Sequence, residues 1–276
     1  MDERSAEPRR VTLAELGQRL PYGRKLGSEH RADYVMREPS VQLDIDIYDA
    51  KTSESVRGFP GKAVSETLRL MLLDVCGKVI PEMGKEDSTL LVSHLSVPDV
   101  LTMLYARIFQ RRPMLYTTGP MKCSCGSVVP AGSPLSVGQM LVEIHEPWTD
   151  PPTKVVEFDE PVVIKDLGGE IRQLTLGVPT WLASHGDLTD KQFSNDAYRR
   201  AATVEAAIIG SDLNPVERFK RPKRGYLFLT HPDILDRLLM EVIRLQRGPI
   251  PAIPATCPGC KTEILVPFSW REVPIT

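Results

Sequence analysis

Two close cysteine pairs, each placed after an amphipathic helical segment, constrain the fold of this chain more than any other feature. The first pair is Cys123 and Cys125, and the second is Cys257 and Cys260. Thiolates bind zinc tetrahedrally at about 2.3 Å, and two such pairs supply the four ligands of a closed structural site. The sequence therefore predicts that the two pairs meet around one Zn²⁺ ion.

The segments that lead to the two pairs resemble each other at a constant offset of 134 residues. Internal repeats are sought early because they determine how the rest of a chain is interpreted. The matching positions are Pro98 with Pro232, Asp99 with Asp233, Leu101 with Leu235, Leu104 with Leu238, Ile108 with Val242, Phe109 with Ile243, and Cys123 with Cys257. We predict an internal pseudo-symmetric pair of units. Chance similarity between two amphipathic helices is the alternative.

The predicted fold is α+β, with two pseudo-repeated helix-plus-cysteine-knuckle units, an inserted β-hairpin region, and a four-cysteine zinc site that joins the units. Residues 1–30 are expected to form a mobile N-terminal arm with a short helix. Residues 31–150 form the first unit, and residues 151–276 hold the hairpin insertion and the second unit. The two units are expected to make one compact body.

Local patterns predict several further elements. Thr12 and Glu15 fit a capping box, in which each side chain satisfies a backbone donor near the start of a short helix. Residues 42–48 alternate polar and apolar, which predicts a half-buried strand. Apolar spacing predicts helices over residues 63–79 and 189–209.

The region between the cysteine pairs is predicted to be rich in β structure. Residues 154–158 form one candidate strand, and residues 162–165 and 170–176 form a hairpin around Gly168 and Gly169. The remaining cysteine, Cys76, lies beside an apolar stripe and is interpreted as a small core residue.

Thiol redox chemistry is the main functional alternative for the second cysteine pair. A Cys-x-x-Cys redox motif sits at a helix N-terminus, which lowers a thiol pKa. Here residues 261–266 alternate like a strand instead. The five histidines are scattered, and neither a His-Glu-x-x-His nor a Gly-x-Ser-x-Gly motif is present. A closed four-thiolate site has no open coordination position, so the chain is predicted not to be an enzyme.

Composition excludes some classes of partner. The net charge of −2 gives no global reason to bind nucleic acid or an anionic membrane. No apolar run reaches the roughly 18 residues that span a bilayer, and the N-terminus lacks a signal-peptide core, so we expect a soluble protein made in the cytoplasm. Five cysteines without a secretion signal argue against a disulfide framework.

One short run concentrates positive charge. It is interpreted as a linker or subunit-contact loop, and nucleic-acid contact is the alternative, disfavoured because stacking aromatic residues are not interleaved with the charges. The residues that could make either contact are Arg218, Lys220, Arg221, Lys223 and Arg224.

The order of these features resembles the T4-type baseplate and tail-assembly proteins of contractile-tailed phages and related injection systems. The resemblance spans residues 43–270. It rests on the leucine-rich helix before Cys123 and Cys125, the hairpin motif Arg172-Gln173-Leu174-Thr175, the Cys-Pro-Gly-Cys knuckle, and the final segment Phe268-Ser269-Trp270-Arg271-Glu272. The one-residue spacing between Cys123 and Cys125 departs from the usual Cys-x-x-Cys.

The resemblance implies a structural or assembly role at the tail tip, exercised through contacts with other tail and baseplate proteins and in multiple copies. It implies a location in the host cytoplasm during assembly and in the virion tail afterwards, and it assigns no catalytic residues. Two other interpretations remain open at this point. One is a zinc-ribbon nucleic-acid-binding module that uses residues 218–224, and the other is a metal- or thiol-dependent enzyme.

Overall fold

The computed structural model describes residues 9–26, 28–144, 152–164, 169–213 and 232–269, and in these ranges the chain is a mixed α/β protein. The mixed class agrees with the prediction. The helices are α1 (Leu13–Leu16), α2 (Val41–Thr52), α3 (Pro60–Met71), α4 (Lys85–Ser93), α5 (Val97–Arg111), α6 (Asp190–Ser194), α7 (Asp196–Ala207) and α8 (Pro232–Leu245).

The strands pair only with antiparallel neighbours in the described ranges. They are β1 (Arg9–Thr12), β2 (Arg19–Leu26), β3 (Glu29–Met36), β4 (Leu72–Val75), β5 (Lys78–Val79), β6 (Met114–Tyr116), β7 (Met121–Lys122), β8 (Val128–Val129), β9 (Pro134–Ser136), β10 (Leu141–Ile144), β11 (Lys154–Ile164), β12 (Gly169–Leu176), β13 (Ile208–Ser211), β14 (Ala252–Thr256) and β15 (Glu263–Pro267).

The larger sheets have the strand orders β2-β3-β4-β5 and β11-β12-β13, and the other strands form two-stranded ribbons. The ribbons are β1-β10, β6-β9, β7-β8 and β14-β15. Helix α5 connects the four-stranded sheet to the ribbons. One side of it packs in a cluster with β2 to β4, α2 and α3, and the other side packs with β10 and β14. The β11-β12-β13 sheet forms a separate cluster with α7 and α8.

Polar side chains fix α5 in place as well as apolar ones. Ser96 caps the helix by accepting a hydrogen bond from the backbone N–H of Asp99 at 3.2 Å. The fully buried Asp99 carboxylate accepts a hydrogen bond from the backbone N–H of Tyr22 at 2.8 Å. The Tyr22 hydroxyl donates to the carbonyl of Leu245 and accepts from the N–H of Arg247 at 2.8 Å. These bonds join β2, α5 and the end of α8.

Residues 9–26 are packed into the fold. The predicted capping box is confirmed, because the Thr12 hydroxyl accepts from the N–H of Glu15 and the Glu15 carboxylate accepts from the N–H of Thr12. Strand β1 pairs with β10, and Leu13 and Leu16 are buried. The predicted mobile arm therefore does not extend into this range.

The strand predicted over residues 42–48 is wrong, because these residues form helix α2. Ser40 caps the helix by accepting from the N–H of Leu43 at 3.2 Å. Leu43 and Ile47, four residues apart, face the core, whereas Ile45 between them is exposed. A helix with apolar residues on two opposite faces produces the alternation that predicted a strand.

Two predicted helices have different ends in the structure. The helix predicted over residues 63–79 begins at Pro60 and ends at Met71, because the following residues pair with β3 as strand β4. Cys76 is buried, as predicted. The helix predicted over residues 189–209 is two helices, because Asn195 ends α6 and caps α7 through its side chain.

The predicted hairpin between the cysteine pairs is confirmed, with a longer first strand. Strand β11 is continuous from Lys154 to Ile164 and pairs with β12, with a register shift between Glu157 and Val162. The sequence analysis predicted two separate strands here because Asp159, Glu160 and Pro161 interrupt the apolar pattern.

Burial raises the pKa of Asp99 from 3.8 to about 6, and this predicts how stability changes with pH. Between pH 4 and 6 the unfolded chain releases the proton more readily than the folded chain, so the free energy of unfolding falls as the pH rises. The expected loss is about 3 kcal/mol. Asp99→Asn has no proton to release and should lack this loss.

Chemical denaturation of both proteins at several pH values tests the prediction. The difference in unfolding free energy between Asp99→Asn and the wild type should grow in favour of the variant as the pH rises from 4 to 6. Other titrating groups cancel in this difference. A difference that is constant across the window would contradict the buried-carboxylate interpretation.

Candidate metal centre

The four paired cysteines meet at one place. All four Sγ atoms lie within 4.8 Å of one another, and the Cys123–Cys260 and Cys125–Cys257 sulfurs are each 3.6 Å apart. A tetrahedron with metal–sulfur bonds of 2.3 Å has sulfur–sulfur edges of about 3.8 Å. A disulfide bond would require about 2.05 Å, and all four cysteines are free thiols. The predicted convergence of the two pairs is confirmed.

The first pair lies in the turn between β7 and β8. The N–H of Cys123 donates to the carbonyl of Ser127 at 2.8 Å, and the N–H of Gly126 donates back to the carbonyl of Cys123 at 2.9 Å. Gly126 has a φ of 89°, a conformation that residues with a Cβ rarely adopt. This glycine lets the chain turn directly after Cys125, so the one-residue spacing still brings both sulfurs to one point.

The second pair lies in the turn between β14 and β15. The N–H of Cys257 donates to the carbonyl of Thr262 at 2.9 Å, and the N–H of Lys261 donates to the carbonyl of Cys257 at 3.1 Å. The chain continues into strand β15 and not into a helix. The helix N-terminus that a thioredoxin-type pair uses to lower a thiol pKa is therefore not present at this turn.

The two turns interlock through Gly259 and Ser127. A Cβ atom at position 259 would lie 2.0 Å from the Ser127 Oγ and 3.6 Å from the Cys125 Sγ. Only glycine leaves room for the two turns to approach this closely. Gly259 thus sets the separation between the two cysteine pairs.

Hydrogen bonds lower the pKa of both thiols of the first pair, whereas burial raises the pKa of Cys257. The Ser127 hydroxyl and then its backbone N–H donate to Cys125 and lower the pKa of this thiol to about 6. The backbone N–H of Cys125 lowers the pKa of Cys123. The Thr262 Oγ1 lies 2.8 Å from the Cys260 Sγ. Such partners orient metal ligands from outside the coordination sphere.

One half of the cluster faces the protein interior, and the other half faces solvent. Cys123 and Cys257 are buried, whereas Cys125 and Cys260 are exposed. The buried half adjoins the core cluster that α5 shares with β10 and β14, in which Ile253 of β14 and Phe268 after β15 pack together. The C-terminal ribbon is therefore held by the cysteine cluster at one end and by apolar packing along its length.

Of the other residues that the sequence analysis singled out, those that the structure describes do not join this site. The basic residues Arg218, Lys220, Arg221, Lys223 and Arg224 lie outside the described residues, as do His145 and His231. His185 stacks on Trp181 with ring centroids 4.3 Å apart and is buried. The ring nitrogen Nδ1 of His94 lies 2.8 Å from the carbonyl oxygen of Leu90.

Three residues of the centre were missed by the sequence analysis. They are Ser127, Gly259 and Thr262, which shape the turns and surround the sulfurs. Each lies within two residues of a cysteine. A small or hydroxyl-bearing residue so close to a cysteine is the sequence signal that could have identified them as part of the centre.

Comparison of the chain with protein-family models, with curated proteins and with solved structures gives no significant match. Among the described helices, none has both the length and the apolar character that crossing a membrane requires. The case for function therefore depends on the geometry of the centre itself.

Gly259→Ala should push the two turns apart, because the new methyl group would collide with Ser127. Overpacking of this kind costs about 1–3 kcal/mol of stability. In a Ser127→Gly background the obstructing atoms are absent, so the same substitution should cost much less. Thermal unfolding of the wild type, both single variants and the double variant gives the coupling energy between the two positions. Additive effects would show that the turns do not touch in this way.

Proposed function

We propose that this chain is a non-catalytic structural or assembly protein whose fold is secured by one Zn²⁺ ion bound to Cys123, Cys125, Cys257 and Cys260. The observation that carries the proposal is the convergence of four free thiols at nearly tetrahedral separations. Soft thiolates in a tetrahedral S₄ set suit Zn²⁺, and iron–sulfur chemistry is the other established use of four cysteines. The sulfur–sulfur separations suit a single metal ion and not an iron–sulfur cluster, so they favour Zn²⁺.

The ion would hold two distant parts of the chain together and would not take part in a reaction. All four coordination positions would be filled by protein sulfur, so no position is left for a substrate or an activated water. The metal would instead join segments more than a hundred residues apart, and it would stabilise the folded chain because the unfolded chain holds no preformed site for it. Two-stranded ribbons as short as β7-β8 are only marginally stable alone, and a shared ion would hold them.

The pseudo-repeat is part of this proposal, and the two turns support it. Each cysteine pair occupies the turn of an antiparallel ribbon, and each ribbon follows a helix that starts with Pro-Asp near its N-terminus. The helices themselves pack differently, since α5 packs against β2 to β4 on one side and against β10 and β14 on the other, whereas α8 packs with the β11-β12-β13 sheet. We propose two related metal-binding ribbons whose preceding helices have diverged in their packing.

We further propose that the assembly is a contractile phage tail or a related injection-system baseplate. The support is the sequence resemblance described above, carried by the cysteine knuckles and the hairpin motif around Arg172 to Thr175. In this role the chain contacts other tail and baseplate proteins, is present in several copies, and passes from the host cytoplasm into the virion tail.

One pair of described side chains has the spacing of a nucleophile and its base, but it is buried, and this burial supports a non-catalytic role. Ser184 Oγ lies 2.7 Å from Nδ1 of His185, as a nucleophile and its base would. Both residues are buried, and Ser184 Oγ also lies 2.8 Å from the carbonyl of Thr180. This pair stabilises the turn at Leu182–Gly186 and cannot reach a substrate.

Cys260→Ser should lose the bound metal and several kcal/mol of stability, since structural zinc contributes on the order of 10 kcal/mol of apparent binding free energy in zinc-finger peptides. Metal analysis of the purified wild type should find one zinc per chain. Cys76→Ser is the matched control, because Cys76 is buried but distant in the fold from the cluster, and it should retain the zinc. A wild-type protein that contains no metal would contradict the proposal.

Deletion of the gene from the genome that encodes it tests the tail assignment. Electron micrographs of the deletion mutant should show particles with absent or defective tails. The wild-type gene should restore normal tails, and the Cys260→Ser gene should not. Normal, infectious particles without the gene would refute the tail role and leave the zinc site unaffected.

A further inference from the structure

Helix α2 has an apolar face that the other described residues leave exposed to solvent. Leu43 and Ile47 are buried, but Val41, Ile45 and Tyr48 are 78%, 48% and 66% exposed. The spacing of these three residues is i, i+4, i+7, which places them on one side of a helix. Apolar side chains at this spacing are the anchors by which a helix binds in a groove of another protein. We name this row of three residues the α2 stripe.

The α2 stripe is rigidly presented and bordered by carboxylates. Asp44 forms an ion pair with Arg111 of α5, so the helix is attached to the centre of the fold. On the other border, Asp49 is exposed, and Glu38 is exposed just before the helix. No ion pair of either acidic side chain is found in the described part of the chain. A partner groove should therefore combine an apolar floor with a basic rim.

The same chain carries a groove of that description. It has a volume of about 530 Å³ and is lined by α4, β2 and β5. Met83, Leu90 and Leu91 form its apolar part. The side chains of Arg24, Lys78 and His94 add basic groups, and Asp87 contributes one carboxylate. We name it the α4 groove.

The lining of the α4 groove is available to a partner. Leu90 is 53% exposed, and Arg24 and Lys78 are exposed. Neither of these two cations is in an ion pair with another described residue. Opposite Arg24, the cross-strand neighbour in β3 is Arg31, which forms an ion pair with Glu29 at 3.1 Å. Arg24 and Lys78 are therefore the cations of the groove that an acidic partner could pair with.

We infer that the α2 stripe of one copy binds the α4 groove of a second copy. Apolar residues would meet the apolar floor, and Asp49 and Glu38 would face the basic rim. The two surfaces are different patches, so the contact is heterologous, and it generates a ring or an open filament and not a closed two-fold dimer. The inference names a partner for the proposed structural role. It rests on that role only for the expectation that several copies of the chain are present together.

Two complementary variants test the inference with the zinc-loaded, full-length chain. The stripe variant is Ile45→Asp with Tyr48→Ser, and the groove variant is Arg24→Glu with Leu90→Asp. Sedimentation velocity should show concentration-dependent association of the wild type and a weakening of about tenfold or more in each variant. When the two variants are mixed, each still has one intact surface, so a 1:1 dimer should form and grow no further.

The matched control is Val163→Asp, which changes an exposed apolar residue of β11, 49% exposed, in a different part of the fold. It should associate as the wild type does. Zinc content and circular dichroism of every variant should equal those of the wild type, which separates this test from that of the metal site. A monomeric wild type, variants that associate normally, or a mixture that stays monomeric would each overturn the inference.

Discussion

Four sulfur atoms within 4.8 Å of one another are the constraint on which the C-terminal part of this structure depends. They come from two turns that are more than a hundred residues apart in the chain. The first turn has little else to stabilise it, because β7 and β8 are only two residues long each, whereas the second turn also benefits from the apolar packing of its ribbon β14-β15. Gly259 and Ser127 determine how closely the turns approach, and the Ser127 hydroxyl favours the ionised form of the Cys125 thiol.

A second set of buried polar contacts connects the remaining parts. Asp99 of α5 receives a hydrogen bond from the backbone of β2, and Tyr22 of β2 bonds to both sides of the turn after α8. Such bonds are strong only when fully desolvated, and they are costly to leave unpaired. They fix the orientation of elements whose apolar faces belong to different core clusters. Apolar packing stabilises the fold, and these polar contacts select one relative orientation of its elements.

The sequence predicted the features that depend on local chemistry. Cysteine spacing predicted the cluster, and Thr12 with Glu15 predicted the start of α1 correctly because capping is a property of a few neighbouring residues. Features decided by distant partners were not predictable. Residues 72–75 continue the apolar pattern of α3, but pairing with β3 makes them a strand. In α2 the apolar alternation does not mark a half-buried strand, because half of it lies on the exposed α2 stripe.

The orientation of the sulfur cluster has a consequence for its behaviour toward other metals. Cys125 and Cys260 present their sulfurs to solvent, while Cys123 and Cys257 are shielded. An incoming soft cation such as Cd²⁺ or Cu⁺ has affinity for thiolate, and it would first meet the two outward sulfurs. For the zinc ion that we propose, substitution would then proceed stepwise from the open side while the inner pair keeps the ribbons together, so its exchange would not require the surrounding protein to unfold.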